Sequence, residues 1–198
     1  MKINYEKIPA SERYGLMSQS VVPRPIAWIV TEHNGVINIA PFSYFTPLSS
    51  EPATLIVSIG HKKDGSPKDT LANIRDSKRC TISMVPNDFL KSMHYTSKSF
   101  DRDVSEAKEF NIPLKEVFDG YPPMIKGTPS AFACDLLQEV ELEGKTKPII
   151  LEIKAQYLDE KCILDPEYLY LDCTKLIGRI GSYYAEWTTT IMPPEMPS

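Results

Sequence analysis

Apolar residues in this chain come in short, dense runs separated by turn residues, a pattern that predicts strands rather than long helices. Ile26 to Thr31 is rich in Ile, Val and Trp, and Ala53 to Gly60 is apolar enough to be buried on both faces. Asn34-Gly35 follows the first run and predicts a tight hairpin, because both central positions of a type I′ turn need positive φ. The return strand is Val36 to Ala40, and Pro41, which has no ladder donor, is expected to end its pairing. Cys80 to Val85 predicts a fourth strand, and Ser130 to Glu141 a long one with Phe132, Cys134 and Leu136 on one face. Ile149 to Leu158 sets Leu151, Ile153, Ala155 and Tyr157 against Glu152, Lys154 and Gln156, and Leu169 to Leu171 adds a short edge.

Helical signals are few. Ser66, followed by Pro67 and by Asp69 three residues on, predicts a capped helix start. Leu71 and Ile74 form its inward stripe, while Thr70 and Asn73 share another face. Asn87-Asp88 is expected to cap a second short helix carrying Leu90 and Met93, and Val104 to Phe110 reads as a helical turn. Residues 1–20 read as an irregular lead-in, and Pro193 to Pro197 as an extended arm. Six or more strands with few helices predict an antiparallel closed barrel.

Composition narrows the class. A length of 198 residues suits a single domain spanning 1–198, and 42% hydrophobic with 24% charged residues is ordinary for a globular protein. A net charge of −4 without a basic stripe argues against nucleic acid. No apolar run approaches the roughly 18 residues that span a bilayer, and the N-terminus has no secretory h-region. Cys80, Cys134, Cys162 and Cys173 lie far apart without a CxxC, so reduced thiols in a cytoplasmic protein are expected. His33, His61 and His94 are isolated from one another and suggest no metal site. His94 reads as a surface or capping residue, and His61 as a polar group near a phosphate end.

Two segments carry candidate chemistry. In Val22-Pro-Arg-Pro-Ile-Ala-Trp28 a proline-locked arginine opens the first strand, and Asn38-Ile-Ala-Pro-Phe-Ser-Tyr-Phe45 ends its partner in polar and aromatic residues. Ser66-Pro-Lys-Asp-Thr-Leu-Ala-Asn73 adds a lysine at a helix start. Together they suit a flat, anionic, partly aromatic ligand, and flavin mononucleotide (FMN), in preference to FAD, meets that description. Arg24, Lys68, Thr70 and the open N–H groups of the helix start can answer its phosphate. Trp28, Phe42, Tyr44 and Phe45 are candidates for the apolar wall of its ring, with Asn38, Ser43 and the backbone from Ala40 to Tyr44 for its carbonyl edge. Charge-assisted hydrogen bonds contribute about 1.5–3 kcal/mol each, and association costs roughly 4–15 kcal/mol. Phosphate contacts alone are therefore marginal, and ring burial has to supply the surplus. Each residue also has a plainer role. Arg24 fits a surface arginine held by its turn, Trp28 a core residue, Ser66 to Asp69 a bare helix start, and Asn38 and Ser43 turn-makers.

Pro23-Arg-Pro-Ile-Ala-Trp28, Gly35, Asn38-Ile-Ala-Pro-Phe-Ser43, Lys68-Asp-Thr70 with Asn73, and Arg179-Ile-Gly181 with Tyr183 or Tyr184 together resemble the flavin reductase-like family. That family includes flavoredoxin and the reductase components of two-component monooxygenases. The likeness runs in order from about residue 15 to residue 185. It implies a six-stranded Greek-key split barrel with a few short peripheral helices, a homodimer, and FMN near the subunit interface. By motif, Arg24, Asn38, Ser43, Lys68, Thr70 and Asn73 become flavin contacts, with Ala27, Trp28 and Ile29 and the backbone from Ala40 through Tyr44 to Phe45 beside the ring. Ser58 and Asp69 complete the set, and Arg179 and Tyr183 represent the C-terminal motif. NAD(P)H is implied as a transient donor, since no dinucleotide fingerprint is present, and a monooxygenase or another protein as acceptor. No side chain is assigned an acid–base role. Two departures bear on nicotinamide placement: Gly144-Lys-Thr-Lys-Pro148 carries no histidine, and Ser182 stands where the family pairs two glycines. An electron-transfer flavoprotein with tightly held FMN and a non-catalytic nucleotide-binding barrel remain the alternatives.

Overall fold

A computed structural model describes residues 1–167, 170–172 and 176–187. Its strands are β1 (Arg24–Pro25), β2 (Ala27–His33), β3 (Val36–Phe42), β4 (Phe45–Ser50), β5 (Ala53–Gly60), β6 (Arg79–Met84), β7 (Leu114–Lys115), β8 (Met124–Ile125), β9 (Ser130–Glu139), β10 (Thr146–Leu158), β11 (Ile163–Asp165), β12 (Tyr170–Leu171), β13 (Ile177–Ile180) and β14 (Tyr183–Glu186). The α-helices are α1 (Ala10–Ser20), α2 (Asp69–Ser77), α3 (Leu90–Tyr95) and α4 (Glu106–Glu109). The main sheet is antiparallel in the order β3-β2-β6-β9-β10-β5-β4, and β1, β13 and β14 form a smaller sheet. The expected mainly-β antiparallel architecture with short helices is present, with β4 as a seventh main-sheet strand. Its edge strands β3 and β4 are joined by Ser43-Tyr44, and Phe42 and Phe45 both enter one core, so the sheet curls toward closure.

β2 is buried on both faces. Ala27 and Ile29 join a core with Val57, Ile59, Ile82, Ile149 and Leu151, while Trp28 and Val30 join a second with Ile39, Val85, Met93 and Ile177. The hairpin turn has the expected positive φ at both Asn34 (50°) and Gly35 (78°). Pro41 does not end the pairing: β3 continues to Phe42, with Pro41 opposite Trp28. β3 is an edge strand, where a missing donor on the outer side costs nothing.

The α2 start also differs from expectation. The helix begins at Asp69 with Lys68 as its N-cap and no side-chain cap bond. Ser66 instead pairs with Asp64, its Oγ donating to Oδ1 at 2.6 Å and its N–H at 2.9 Å, and Pro67 bridges to His61. Leu71 and Ile74 do enter the first core. Asn87 and Asp88 lie within a 3-10 turn ahead of α3 rather than capping it. On β9, Phe132, Cys134 and Leu136 share the first core as expected. On β10 a register shift between Ile153 and Ala155 breaks the alternation, leaving Ala155 exposed.

Residues 10–20 are helical, not irregular. Only Ser18 of α1 is buried, so no apolar stripe announces the helix. Its C-terminus is held by Arg24, whose Nη1 donates to Ser18 O and to Val21 O, the latter at 3.0 Å. A cation on a helix's last carbonyls is favourable. Cys80 and Cys134 face each other across β6 and β9, and both are free. No helix among the described residues is long and apolar enough to cross a membrane. Leu169, Cys173 and the Pro193–Pro197 arm lie outside the described residues.

α4 is tied to β3 through one buried carboxylate: Glu106 Oε2 accepts the Ile39 N–H at 2.9 Å. Burial holds the Glu106 carboxyl above its ordinary value, against the lowering pull of that N–H. The folded state therefore keeps this proton after the unfolded chain has released it, so stability is lost as pH rises through the folded value. Glu106→Gln keeps an acceptor and removes the ionisation. Its denaturant midpoint should gain on wild type as pH rises above the ordinary carboxylate range, and parallel curves would show that Glu106 does not titrate abnormally.

Candidate functional site

A cavity of about 340 Å³ opens beside the Ser43-Tyr44 link. Pro41, Phe42, Ser43 and Tyr44 form one part of its wall, and Ser58, Gly60 and Thr146 come from the neighbouring ends of β5 and β10. Tyr14 of α1, Met93 and His94 of α3 with Ser97 just beyond it, and Arg179 and Tyr184 of the small sheet supply much of the rest. A second cavity of about 60 Å³ shares Pro41, Lys68 and Ser97 with it and is bordered by Asn38, Ala40, Asp69, Thr70 and Glu106. That volume equals about two waters' share of liquid. A phosphoryl group suits it; a ring does not.

Lys68 stands where the two cavities meet. It is more than half buried, its ammonium lies 5.5 Å from the Phe42 ring centroid, and no carboxylate pairs with it among the described residues. Desolvation pushes its pKa below the ordinary lysine value. Asp69 is already taken, accepting from Lys62 Nζ at 2.7 Å. The small cavity thus holds a desolvated cation beside the N-terminus of α2, an arrangement that attracts an anion. A buried hydroxyl is unanswered too: Tyr44, in the large cavity wall, has no hydrogen-bond partner for Oη among the described residues. Burial and the neighbouring Tyr14 raise its pKa, with Arg24 opposing.

The predicted residues fall into three groups. Ser43, Tyr44, Ser58, Lys68 and Arg179 line the large cavity, and Asn38, Ala40, Lys68, Asp69 and Thr70 the small one. Asn38 and Thr70 are buried and bonded to each other, Asn38 Nδ2 donating to Thr70 Oγ1 at 3.0 Å and to Thr31 Oγ1 at 3.2 Å.

The remaining residues line neither cavity. Asn73 donates from Nδ2 to Thr31 Oγ1 at 3.1 Å and accepts from Arg102, fixing α2 to β2. Ala27, Ile29 and Phe45 belong to the first core. The β2 backbone at Ala27 to Ile29 is paired with β3 on one side and β6 on the other, so it has no open edge. Trp28 is wholly buried in the second core and donates from Nε1 to Thr96 Oγ1 at 2.9 Å, which makes it a core residue and not a ring wall. Tyr183 is 78% exposed, and its neighbour Tyr184 takes the cavity position.

Arg24 also lines neither cavity. Through Nη1 its guanidinium holds the C-terminus of α1; it lies 5.5 Å from the Tyr44 ring centroid, and its buried Nε and Nη2 have no hydrogen-bond partner among the described residues. Tyr44 in turn stacks on Tyr14 at 5.6 Å, so Arg24 shapes the cavity through that column. Sequence reasoning missed Tyr14, His94, Ser97, Thr146 and Glu106. His94 is exposed, as expected, and it also lines the large cavity, while His61 bonds Lys145 O at 2.6 Å on the exposed side.

Residues 17–174 match the family described as "Flavin reductase like domain". The crystal structure of the Pseudomonas fluorescens 2-nitrobenzoate 2-nitroreductase NbaA superposes with a TM-score of 0.86 at 27% identity, covering 100% of this chain and 99% of that one. Nitrilotriacetate monooxygenase component B from Bacillus cereus gives 0.87 at 22%, with 98% of each chain covered. A Shewanella frigidimarina protein with a split barrel domain gives 0.82 at 19%, covering 99% of this chain and 100% of that one. The last two speak to the fold alone, and the fold is a split barrel.

Replacing Arg24 with Met should cost α1 its C-terminal anchor while leaving the barrel folded. Hydrogen bonds from a charged donor are worth about 1.5–3 kcal/mol, so amide exchange over residues 10–20 should accelerate at least tenfold. Unchanged exchange there would dismiss the anchoring role.

Proposed function

The chain belongs to the flavin reductase-like family, and on that footing we propose that it is an FMN-binding oxidoreductase taking hydride from NADH or NADPH and passing the electrons to an acceptor. The observation that carries this reading is Lys68, a desolvated ammonium without a carboxylate partner, set between a phosphate-sized pocket and a larger, partly aromatic one. Lys68 and the first turn of α2 would hold the phosphate. Phe42, Tyr44 and the backbone around Ser43 would border the ring, and the unpartnered Tyr44 hydroxyl would gain a bond. Bound there, the flavin supplies two-electron chemistry that the cavity's side chains do not.

The protein's own part is to hold, orient and desolvate. Asn38 and Thr70 brace the phosphate pocket through their mutual bond, and Asp69 keeps Lys62 in place. Thr70 is thus a support for Asn38, and removing its hydroxyl would disturb the fold as well as the pocket. The sequence carries no Gly-rich dinucleotide fingerprint, so NAD(P)H would bind transiently over the flavin within the large cavity. The acceptor would be a monooxygenase or another electron-accepting partner. A homodimer would cover apolar side chains now exposed on α1 and β4, among them Tyr14, Met17 and Leu48, and a monomer by sedimentation would exclude that.

Lys68→Ala should raise the Kd for FMN by about tenfold to a hundredfold, the loss of one charge-assisted contact, without lowering the Tm. Phosphate binding restores the favoured charge on Lys68, so wild-type affinity should fall as pH rises through its depressed value, and the variant should lack that slope. Equal affinities would remove the phosphate assignment. The activity is tested by nicotinamide oxidation with FMN-loaded protein. Turnover with NADH or NADPH is expected, and its absence while FMN stays bound would shift the assignment to an electron-transfer flavoprotein.

A further inference from the structure

The flavin reading leaves one assembled polar pair in the large cavity without a task. Tyr184 Oη lies 2.9 Å from His94 Nδ1, and the two rings meet edge to face at 90° with centroids 5.9 Å apart. Arg179 lies 4.5 Å from the Tyr184 ring centroid, and its Nε donates to Gly181 O at 3.0 Å. The β13–β14 turn therefore fixes the guanidinium, and the guanidinium with His94 fixes the phenol ring. All three side chains line the cavity. Among the described residues neither His94 Nε2 nor Tyr184 Oη has a further hydrogen-bond partner. Ser97 does not compete, because its hydroxyl donates to the His94 carbonyl at 2.6 Å.

A hydrogen shared between a phenol and a neutral imidazole leaves one outward donor whichever ring carries it. When Tyr184 donates to Nδ1, the Nε2–H of His94 is free; when Nδ1–H donates to Oη, the phenol hydrogen is free. The wall is mixed, with apolar Ile26, Phe42 and Met93 among its polar groups. A donor set in such a wall discriminates between ligands: an oxygen on the ligand satisfies it, and a hydrocarbon in the same place leaves it unpaired. The cavity, at about 340 Å³, sits at the small end of the roughly 300–1,000 Å³ range of ligand sites. With a flavin ring inside, what is left suits a compact planar molecule.

We propose that His94 and Tyr184 are specificity-determining residues for the second ligand of this cavity, a small planar compound whose carbonyl or nitro oxygen accepts their free hydrogen. The inference rests on the flavin reading, which fills the rest of the cavity. Neither ring makes or breaks a covalent bond in this role.

Benzaldehyde, nitrobenzene and toluene share one ring and differ in the oxygen. Wild type and a Tyr184→Phe/His94→Leu double variant are each saturated with FMN, and the three compounds are titrated by ligand-observed NMR. Wild type should bind the two oxygen-bearing compounds about two- to tenfold tighter than toluene, the worth of one net hydrogen bond, and the double variant should bind all three alike. In wild type, benzaldehyde should also shift the His94 ring nitrogens in the 15N spectrum, where toluene does not. Equal affinities in wild type, or a preference that survives in the variant, overturn the proposal. If the variant does not fold, unmoved His94 nitrogens on adding benzaldehyde to wild type overturn it. Failure of wild type to take up FMN sinks the flavin reading instead, and the same titrations on flavin-free protein then decide the role of the pair.

Discussion

A strand buried on both faces and paired on both edges has no room for chemistry along its middle, and β2 is such a strand. Ala27 and Ile29 serve one core, Trp28 and Val30 the other, and β3 and β6 take its backbone. Function is displaced to its two ends. Just before β2, Arg24 holds α1 and lies beside Tyr44, which stacks on Tyr14 in one wall of the large cavity. Toward the other end, Thr31 accepts from both Asn38 and Asn73 and so ties α2 to the hairpin, which sets Lys68 and Thr70 at the small cavity. Two pockets are positioned from the ends of one strand.

This division explains which parts of the molecule were legible in the sequence. Density of apolar residues located β2, β5, β6, β9 and β10, because each serves a core that demands those residues. It could not locate α1, whose side chains are nearly all solvent-facing and whose C-terminus is held by the Arg24 side chain. It also missed β4, where Phe45 alone of Phe45–Ser50 is buried. Pro41 misled because the rule that proline ends a ladder holds for central strands, and edge status is a property of the sheet rather than of the segment.

The candidate site was legible where chain neighbours share it and obscure where distant elements do. Ser43, Tyr44, Lys68 and Thr70 lie in two short motifs that reach the cavities directly. Tyr14, His94 and Thr146 arrive from three separate elements, and no spacing in the sequence relates them. The choice between Tyr183 and Tyr184 was a question of strand phase. Successive residues face opposite sides of β14, and only the pairing of Arg179 with Tyr184 fixes which side meets the cavity.

Motif membership also conceals the difference between residues that face a ligand and residues that hold those that do. Trp28 is the clearest case. Its indole N–H binds Thr96 Oγ1, which in turn donates to Met93 O at 2.8 Å, so the end of α3 is locked to the second core. Met93, His94 and Ser97, the α3 segment of the large cavity wall, are placed by that lock. Ser97 borders both cavities, as do Lys68 and Pro41. A shift of α3 would therefore alter the larger pocket and its junction with the smaller one together. Trp28 acts on the site from the core, through two hydrogen bonds, and the same burial that rules it out as a ring wall is what lets it hold the wall in place.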